Sequence, residues 1–282
     1  MFKKQITIKK AITFKGIGLH SGEPVSLKLS PEKKNTGIIF YKKNKKIKAS
    51  WKNAEVSQLC TKIKNKNITI STIEHLMSAF SSLGITNLKI EISGSEIPIL
   101  DGSAKIFLDE ILKVGTLEQE ANQKFIKIKK KILYKDKEKF ICIKPIKEKK
   151  LIIDFTIDYN DQFIRKQKLV YTHSPDNFRD IYLARTFCLQ KDLEKIFSLG
   201  LGKGGSLDNA IIVSEKKILN QGGLRYPNEF VKHKILDCIG DLYLAENQIW
   251  GKVETYGGGH ELNLLLLREV FKNKENYEFF EY

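Results

Sequence analysis

Apolar and polar residues alternate through most of the chain before residue 56, in stretches separated by turn signals. These stretches are KKQITIKKAITFKG, PVSLKLSP, GIIFYKK and IKASWKNAEV. Such alternation is typical of antiparallel strands that bury one face and expose the other. The chain is therefore predicted to begin with a sheet.

Two later segments of the first half carry apolar residues at helical spacing instead. STIEHLMSAFSSLG does so at Ile73, Met77 and Phe80 and ends at Gly84, and SAKIFLDEILKVG ends at Gly115. Both segments predict helices. The intervening TNLKIEISG predicts a further strand.

A similar order of elements recurs after residue 123. KFIKIKKKILYK, KFICIKPI, LIIDFTIDY and, near the end, ELNLLLL predict strands, and residues 228–245, NEFVKHKILDCIGDLYLA, predict a helix. The polar TLEQEANQ has little to bury and is predicted to be a linker. We therefore predict an α+β fold of two similar two-layer domains, residues 1–119 and 124–282, each with helices on one sheet face.

The helix predicted over 228–245 is apolar on nearly every side. One side carries Val231, Ile235, Cys238, Ile239 and Leu242, and the other carries His233, Asp237 and Asp241 among Phe230, Leu236, Gly240 and Leu244. A helix of this kind is usually buried, and a buried carboxylate must be neutralised, paired or bound to a metal. A bond between the His and the Asp within the helix is the simpler alternative.

The net charge suggests several kinds of anionic partner, and the distribution of the lysines argues against one of them. The 282 residues include 49 Lys and Arg against 33 Asp and Glu, a net charge of +16, which raises nucleic acid, anionic membranes and phosphorylated substrates. The lysines, however, alternate with apolar residues as on the wet face of strands, and no run interleaves basic and aromatic residues. We therefore expect no nucleic-acid partner.

Cysteines and apolar runs indicate the compartment. Cys60, Cys142, Cys188 and Cys238 are scattered, which favours neither a thiol-rich zinc site nor a disulfide framework. No segment holds 18 uninterrupted apolar residues, and the N-terminus has no long apolar core of a signal peptide. A cytoplasmic location is expected.

Candidate chemistry appears on the first predicted helix. Ser71 to Glu74 matches a capping box, in which Glu74 would return to the backbone of Ser71. His75 lies about 200° from Ile73 around the helix, away from the apolar stripe. With His233 and Asp237 it makes three protein ligands, the number typical of a catalytic zinc site that keeps one position open, and Glu74 would then be the base.

Two glycine-rich segments follow. TYGGGHELN presents His260 after three glycines, and a tight hairpin with a chance histidine is the alternative to a catalytic acid. LGLGKGGSLDNA lacks the spacing of a P-loop.

Seven of these segments together resemble one enzyme family. They are, in chain order, GIGLHSG, STIEHLMSAF, IPILDGSA, ARTF, GLGKGGSLDNA, NEFVKHKILDCIGDL and GGGHELN. The series resembles the UDP-3-O-acyl-N-acetylglucosamine deacetylases, zinc amidases at the committed step of lipid A synthesis, and spans nearly the whole chain. The resemblance implies two α+β domains whose helices face each other across the site.

The resemblance also implies roles for individual residues. The metal ligands would be His75, His233 and Asp237, with zinc as the ion and iron(II) as the alternative. Glu74 would be the general base and His260 the acid, with Asp241 holding His260. Thr186 and Lys234 would stabilise the oxyanion.

Substrate contacts are expected from four further residues. Phe187, Lys203, Ile196 and Leu199 match positions that contact substrate in the family, although a core position for Phe187, Ile196 and Leu199 and a solvated loop for Lys203 remain alternatives. The partner would be an acylated UDP-sugar, with at most peripheral contact with the inner membrane, and the protein a monomer.

Three polar residues are expected to play no direct catalytic part. Asp101 is predicted to cap a helix that starts near Ser103. His20 lies in a family motif but is left without a role, and His173 matches no motif and is expected to be exposed.

Overall fold

The computed structural model describes residues 2–55 and 59–282. The first half holds, in order, β1 (Lys4–Ile8), β2 (Ile12–Ile17), β3 (Pro24–Pro31), β4 (Ile38–Lys42), β5 (Lys45–Lys48), β6 (Ala54–Glu55), β7 (Lys62–Lys64), β8 (Thr69–Ser71), α1 (Glu74–Ser82), β9 (Leu88–Ile92), α2 (Lys105–Val114) and β10 (Thr116–Asn122). Five strands form a sheet in the order β2-β3-β9-β4-β5, and β6, β7 and β8 form a second sheet.

The second half contains one larger sheet. Its elements are β11 (Lys124–Ile128), β12 (Ile132–Asp136), β13 (Lys139–Lys144), β14 (Leu151–Asp158), β15 (Lys166–Thr172), α3 (Pro175–Phe178), β16 (Phe187–Leu189), α4 (Leu193–Ser198), β17 (Ile211–Val213), α5 (Glu229–Leu242), β18 (Gln248–Tyr256), α6 (His260–Lys272) and β19 (Tyr277–Glu281). Strand β18 is central, because it pairs with β11, β13 and β14.

The alternating stretches form strands because every second side chain is apolar. In β3, Val25, Leu27 and Leu29 are buried, while Lys28 between them is exposed. The opposite faces carry the lysines, as predicted. The helices cover the buried faces, so the predicted α+β class is confirmed.

Helices α1 and α5 pack directly against each other. All nine residues of α1 are buried. Gly240 of α5 lies against the backbone of Glu74, and an added Cβ would lie 2.0 Å from the Glu74 carbonyl oxygen. This close approach brings the polar residues of the two helices into one region.

Two predicted elements are wrong. The predicted linker TLEQEANQ contains the whole of β10, which pairs antiparallel with β1 and places Ile8 opposite Thr116. Backbone pairing, not burial, holds this polar strand. ELNLLLL is not a strand but the first part of α6. Four apolar residues in a row fit either element, and Leu262, Leu266 and Val270 are buried at helical spacing.

The remaining boundaries shift in smaller ways. The predicted strand IKASWKNAEV contains the end of β5 and the whole of β6, and its last residue, Val56, lies outside the described residues. No strand ladder of the described chain joins residues before 123 to residues after it. The division into domains 1–119 and 124–282 stays a prediction. No helix in residues 2–55 and 59–282 is long and apolar enough to cross a membrane.

The structure also corrects the expectations for His173 and Asp101. His173 is not exposed: its Nδ1 is buried and its Nε2 lies 3.0 Å from Ser81 Oγ on α1. Asp101 is not the N-cap of α2, which is Ala104. The Asp101 carboxylate instead accepts from the Ser103 hydroxyl and from Arg225, both at 2.9 Å, because Asp101 lies three residues before the N-cap and its donors there are Ser103 and Arg225.

Candidate metal centre

Helix α5 is buried on almost every side, as its sequence predicts. Its first turn is anchored by Glu229, which is fully buried and accepts from the Arg185 Nε at 2.9 Å. This pair holds residues 184–186 against the helix. Further along, His233, Asp237 and Asp241 succeed one another at four-residue spacing and face α1 and α6.

Three side chains converge where α1 meets α5. Among the described residues, His75, His233 and Asp237 offer ligand atoms that all lie within 4.8 Å of one another. Asp237 Oδ1 is 3.5 Å from His75 Nε2 and 3.3 Å from His233 Nε2, and it accepts no hydrogen bond from a described residue. A buried carboxylate oxygen without a donor, aimed at two imidazoles, fits a metal ion. A simple His-Asp pair within α5 does not account for His75.

The imidazole of His233 is held as a ligand requires. Its Nδ1 lies 3.0 Å from the Ala184 carbonyl oxygen, so Nδ1–H donates there and Nε2 keeps its lone pair. Burial lowers the pKa of His233 to about 3. The ring is therefore neutral, the form that binds metals.

Glu74 does not form the capping box. The N-cap of α1 is Ile73, Ser71 belongs to β8, and Glu74 Oε2 instead accepts from the Thr61 backbone N–H at 3.0 Å. Burial raises the pKa of Glu74 to about 6. A carboxylate with this pKa can take up a proton near neutral pH.

His260 lies at the start of α6, after three glycines. Gly257 has a φ of +60°, which glycine adopts without strain. His260 Nδ1 is 2.9 Å from Asp241 Oδ2, and its Nε2 is 3.9 Å from Glu74 Oε1 and 3.8 Å from Asp237 Oδ2. Burial alone would lower the pKa of His260, but Asp241 and Asp237 raise it to about 9. His260 is therefore protonated at neutral pH.

Comparison with known proteins identifies the arrangement. Residues 5–272 match the family model described as LpxC, UDP-3-O-acyl N-acetylglycosamine deacetylase. The chain belongs to this family. The resemblance of the seven motifs is thereby confirmed, and with it the prediction of a deacetylase of lipid A biosynthesis.

Named relatives agree over almost the full chain. The deacetylase is 45% identical over 285 residues to the UDP-3-O-acyl-N-acetylglucosamine deacetylase of Haemophilus ducreyi, covering 98% of this chain and 92% of that protein. It is 42% identical over 278 residues to the enzyme of the same name from Campylobacter fetus, covering 98% and 94%, and 41% identical over 281 residues to that of Nitratiruptor sp., covering 99% and 94%.

Lys234 and Phe187 of the deacetylase adjoin the metal cluster. Lys234 Nζ lies 3.0 Å from Asp237 Oδ2 and 5.5 Å from the centre of the Phe187 ring. Burial would lower the pKa of Lys234, but Asp237 raises it above its ordinary value, so the ammonium stays charged. The Phe187 ring is half-buried and packs edge-on against Phe230 at 4.9 Å, so it combines a core contact with a position near His233.

Thr186 is fixed through its backbone. Its N–H donates to the Gly102 carbonyl at 2.8 Å, and its own carbonyl accepts from Ile211 at 2.8 Å. The side chain is partly exposed. A direct part of Thr186 in the chemistry stays a prediction.

The other predicted substrate residues lie on exposed segments. Lys203 is exposed, and its backbone N–H donates to the His20 carbonyl at 3.3 Å. Leu199 is 55% exposed just after α4, and Ile196 is half-buried. The core alternative for α4 is therefore wrong, since a helix whose apolar side chains face solvent contributes little to a core.

Sequence reasoning missed two residues that hydrogen-bond to Glu74 or Asp241. Asn263 Nδ2 donates to Asp241 Oδ2 at 2.8 Å, and Thr61 contacts both Glu74 and Asp241. Asn263 lies three residues after His260, so a helical interpretation of GGGHELN would have placed both on one side. Thr61 lies in LCTKIK, where no pattern marks it.

Proposed function

We propose that the chain hydrolyses the acetamide of UDP-3-O-acyl-N-acetylglucosamine, giving UDP-3-O-acyl-glucosamine and acetate, the committed step of lipid A synthesis. The observation that carries this proposal is the three-ligand cluster of His75, His233 and Asp237 with Glu74 and His260 beside it. The names of the relatives supply the substrate.

The proposed ion is zinc, with iron(II) as the alternative. Two imidazole nitrogens and one carboxylate oxygen are a donor set that suits a catalytic zinc and leaves room for substrate. When bound, the metal would polarise the amide carbonyl and acidify water.

Glu74 and His260 divide the proton transfers. Glu74, with a pKa of about 6, takes the proton of the attacking water, and His260, with a pKa of about 9, gives one to the leaving amine. The Asp241 carboxylate fixes the His260 ring through Nδ1 and leaves Nε2 for the substrate. Deprotonation of the water and protonation of the leaving amine are therefore carried out by different residues.

Lys234 and Thr186 stabilise the oxyanion in this proposal. The charged ammonium of Lys234 lies 3.0 Å from the proposed ligand Asp237, a position from which it can stabilise the negative charge that develops on the oxyanion. Phe187 lines the sugar side of the site, and Lys203 contacts the nucleotide phosphates. Ile196 and Leu199 offer an apolar surface to the acyl chain. The protein acts as a cytoplasmic monomer with at most peripheral membrane contact.

The direct test is acetate release from the acylated UDP-sugar by purified protein. We expect release that chelation abolishes and zinc restores, and that Glu74→Gln lowers by about 100- to 10,000-fold, the range for loss of a general base. Glu275→Gln, at an exposed carboxylate, is the control and should match the original protein. Metal-loaded protein that releases no acetate would overturn the proposed substrate.

A further inference from the structure

A single threonine outside the metal cluster joins the proposed base to the proposed acid. We propose that Thr61 is a positioning residue that holds Glu74 and the Asp241–His260 pair in one fixed arrangement. The inference rests on the proposed roles of Glu74 and His260.

Thr61 makes polar contacts with Glu74, Asp241 and His260, and its carbonyl accepts from the Ile73 N–H at 3.5 Å. It is 4% exposed and immediately precedes β7. Its backbone N–H donates to Glu74 Oε2 at 3.0 Å, and its hydroxyl donates to Asp241 Oδ1. The same hydroxyl oxygen is 3.2 Å from His260 Nδ1. One residue thus contacts three charged or titratable groups.

The contact to Glu74 selects one orientation of its carboxylate. Oε2 is engaged by the Thr61 N–H, so Oε1 is the oxygen left toward the site, 3.9 Å from His260 Nε2. A carboxylate without this donor could rotate about its terminal bond, a soft torsion. Two contacts hold the backbone of Thr61: its hydroxyl is bound to Asp241 on α5, and its carbonyl accepts from the Ile73 N–H at 3.5 Å.

The contact to Asp241 completes the support of His260. Asp241 Oδ2 accepts from His260 Nδ1 and from Asn263, while Oδ1 accepts from Thr61. Without the hydroxyl, a buried carboxylate oxygen loses its donor, which favours rotation of Asp241 toward another partner. The His260 ring would turn with it, since the ring is held through Nδ1.

This role predicts an effect on the chemical step rather than on binding. Among the described residues, Thr61 contacts Glu74, Asp241 and His260 and makes no hydrogen bond to His75, His233 or Asp237. We expect Thr61→Val, which keeps the shape and loses the hydroxyl, to lower kcat by about 10- to 100-fold, as loss of a supporting hydrogen bond does. KM and metal content should not change. Thr61→Ser keeps the hydroxyl and should retain kcat within about threefold.

Thr7→Val is the matched control. Thr7 is 2% exposed, and its hydroxyl oxygen accepts from the Glu32 N–H at 3.1 Å in β1, away from the cluster. Thr61→Ala is measured as well, because it removes the hydroxyl without putting a methyl group in its place. It can replace Thr61→Val in the comparison with the control if the valine variant does not fold. Both hydroxyl-free variants should lose kcat while the control keeps it.

The outcomes separate this inference from the proposed function. If the original protein releases acetate and Thr61→Val has the kcat of Thr7→Val, or Thr61→Ser loses as much as Thr61→Val, the positioning role is overturned and the function stands. A fall in metal content with kcat would assign Thr61 to metal retention and also overturn it. If the metal-loaded original protein releases no acetate, the proposed function itself fails.

Discussion

At the scale of single residues, Gly240 sets how closely the two ligand-bearing helices approach. A side chain at this position would meet the backbone of Glu74, which precedes the ligand His75. Backbone atoms cannot move aside as a flexible side chain can. The separation of His75 from His233 and Asp237 therefore depends on the absence of one carbon atom.

Gly240→Ala is predicted to lower both stability and metal affinity. The added Cβ would lie 2.0 Å from the Glu74 carbonyl oxygen, so α1 and α5 must separate; overpacking of this kind costs about 1–3 kcal/mol. Denaturant unfolding and metal titration measure the two effects. Gly259→Ala is the steric control, because its Cβ would meet nothing within 4 Å; it should leave metal affinity unchanged and cost at most about 1 kcal/mol, since alanine is a poorer N-cap of α6 than glycine. Equal stability of the two variants would contradict the prediction.

At the scale of elements, α4 differs from the other α-helices of the described chain because it exposes its apolar side chains to solvent. None of its residues is buried, and Phe197 and Leu199 are 54% and 55% exposed. Helices with an exposed apolar side usually meet a ligand, a partner or a lipid. Here the proposed substrate carries an acyl chain, and α4 follows directly from the β16 strand that carries Phe187.

Leu199→Asp is predicted to weaken substrate binding without weakening the fold. Loss of the contact between a leucine and an acyl chain, worth about 1.5 kcal/mol, should raise KM about tenfold. The free energy of unfolding should change by less than about 0.5 kcal/mol, because the side chain is exposed. Steady-state kinetics and thermal melting provide the two readings.

Leu112→Asp is the control for this prediction. Leu112 is 51% exposed on α2, so it matches Leu199 in exposure but not in location. An equal rise in KM for both variants would indicate a general effect of the new charge rather than a contact of α4 with the acyl chain.

At the scale of the whole molecule, sequence patterns predicted the elements that are determined by neighbouring residues and missed those that depend on distant ones. The helices α1 and α5 follow from helical spacing, and the proposed ligands His233 and Asp237 stood out as polar residues on a helix that is apolar on nearly every side. The helix α6 was missed because four consecutive apolar residues fit a strand equally well. Strand β10 was missed because its stability comes from pairing with β1, over 100 residues away.

The hydrogen bonds that hold Glu74 and Asp241 in place could not be predicted from the sequence. Thr61 and Asp241 are separated by 180 positions in the chain, and no spacing rule relates them. Glu74 satisfied a capping pattern that the fold does not use, because Ser71 lies in β8, where its N–H donates to the Ser95 carbonyl, and Glu74 accepts from the Thr61 N–H instead. Contacts of this kind appear only once both halves have folded together.

His173 is a second long-range contact, and it makes stability depend on pH. It lies just after β15, and its Nε2 is 3.0 Å from Ser81 Oγ of α1, so it joins elements from the two halves of the chain. Burial lowers its pKa to about 4 from an ordinary value of 6.5. Between these values the unfolded chain binds a proton that the folded protein does not.

The free energy of unfolding should therefore fall as the pH decreases from 6.5 through 4 and change no further below it on account of this residue. The shift corresponds to at most about 3 kcal/mol. His173→Gln cannot titrate and should flatten this part of the curve, while its amide can keep a hydrogen bond to Ser81. Urea unfolding of the metal-loaded original protein and of the His173→Gln variant is measured from pH 7 to pH 4.5. The difference between the two curves reports His173 alone, because His233 is present in both proteins. Parallel curves would show that His173 carries no such cost.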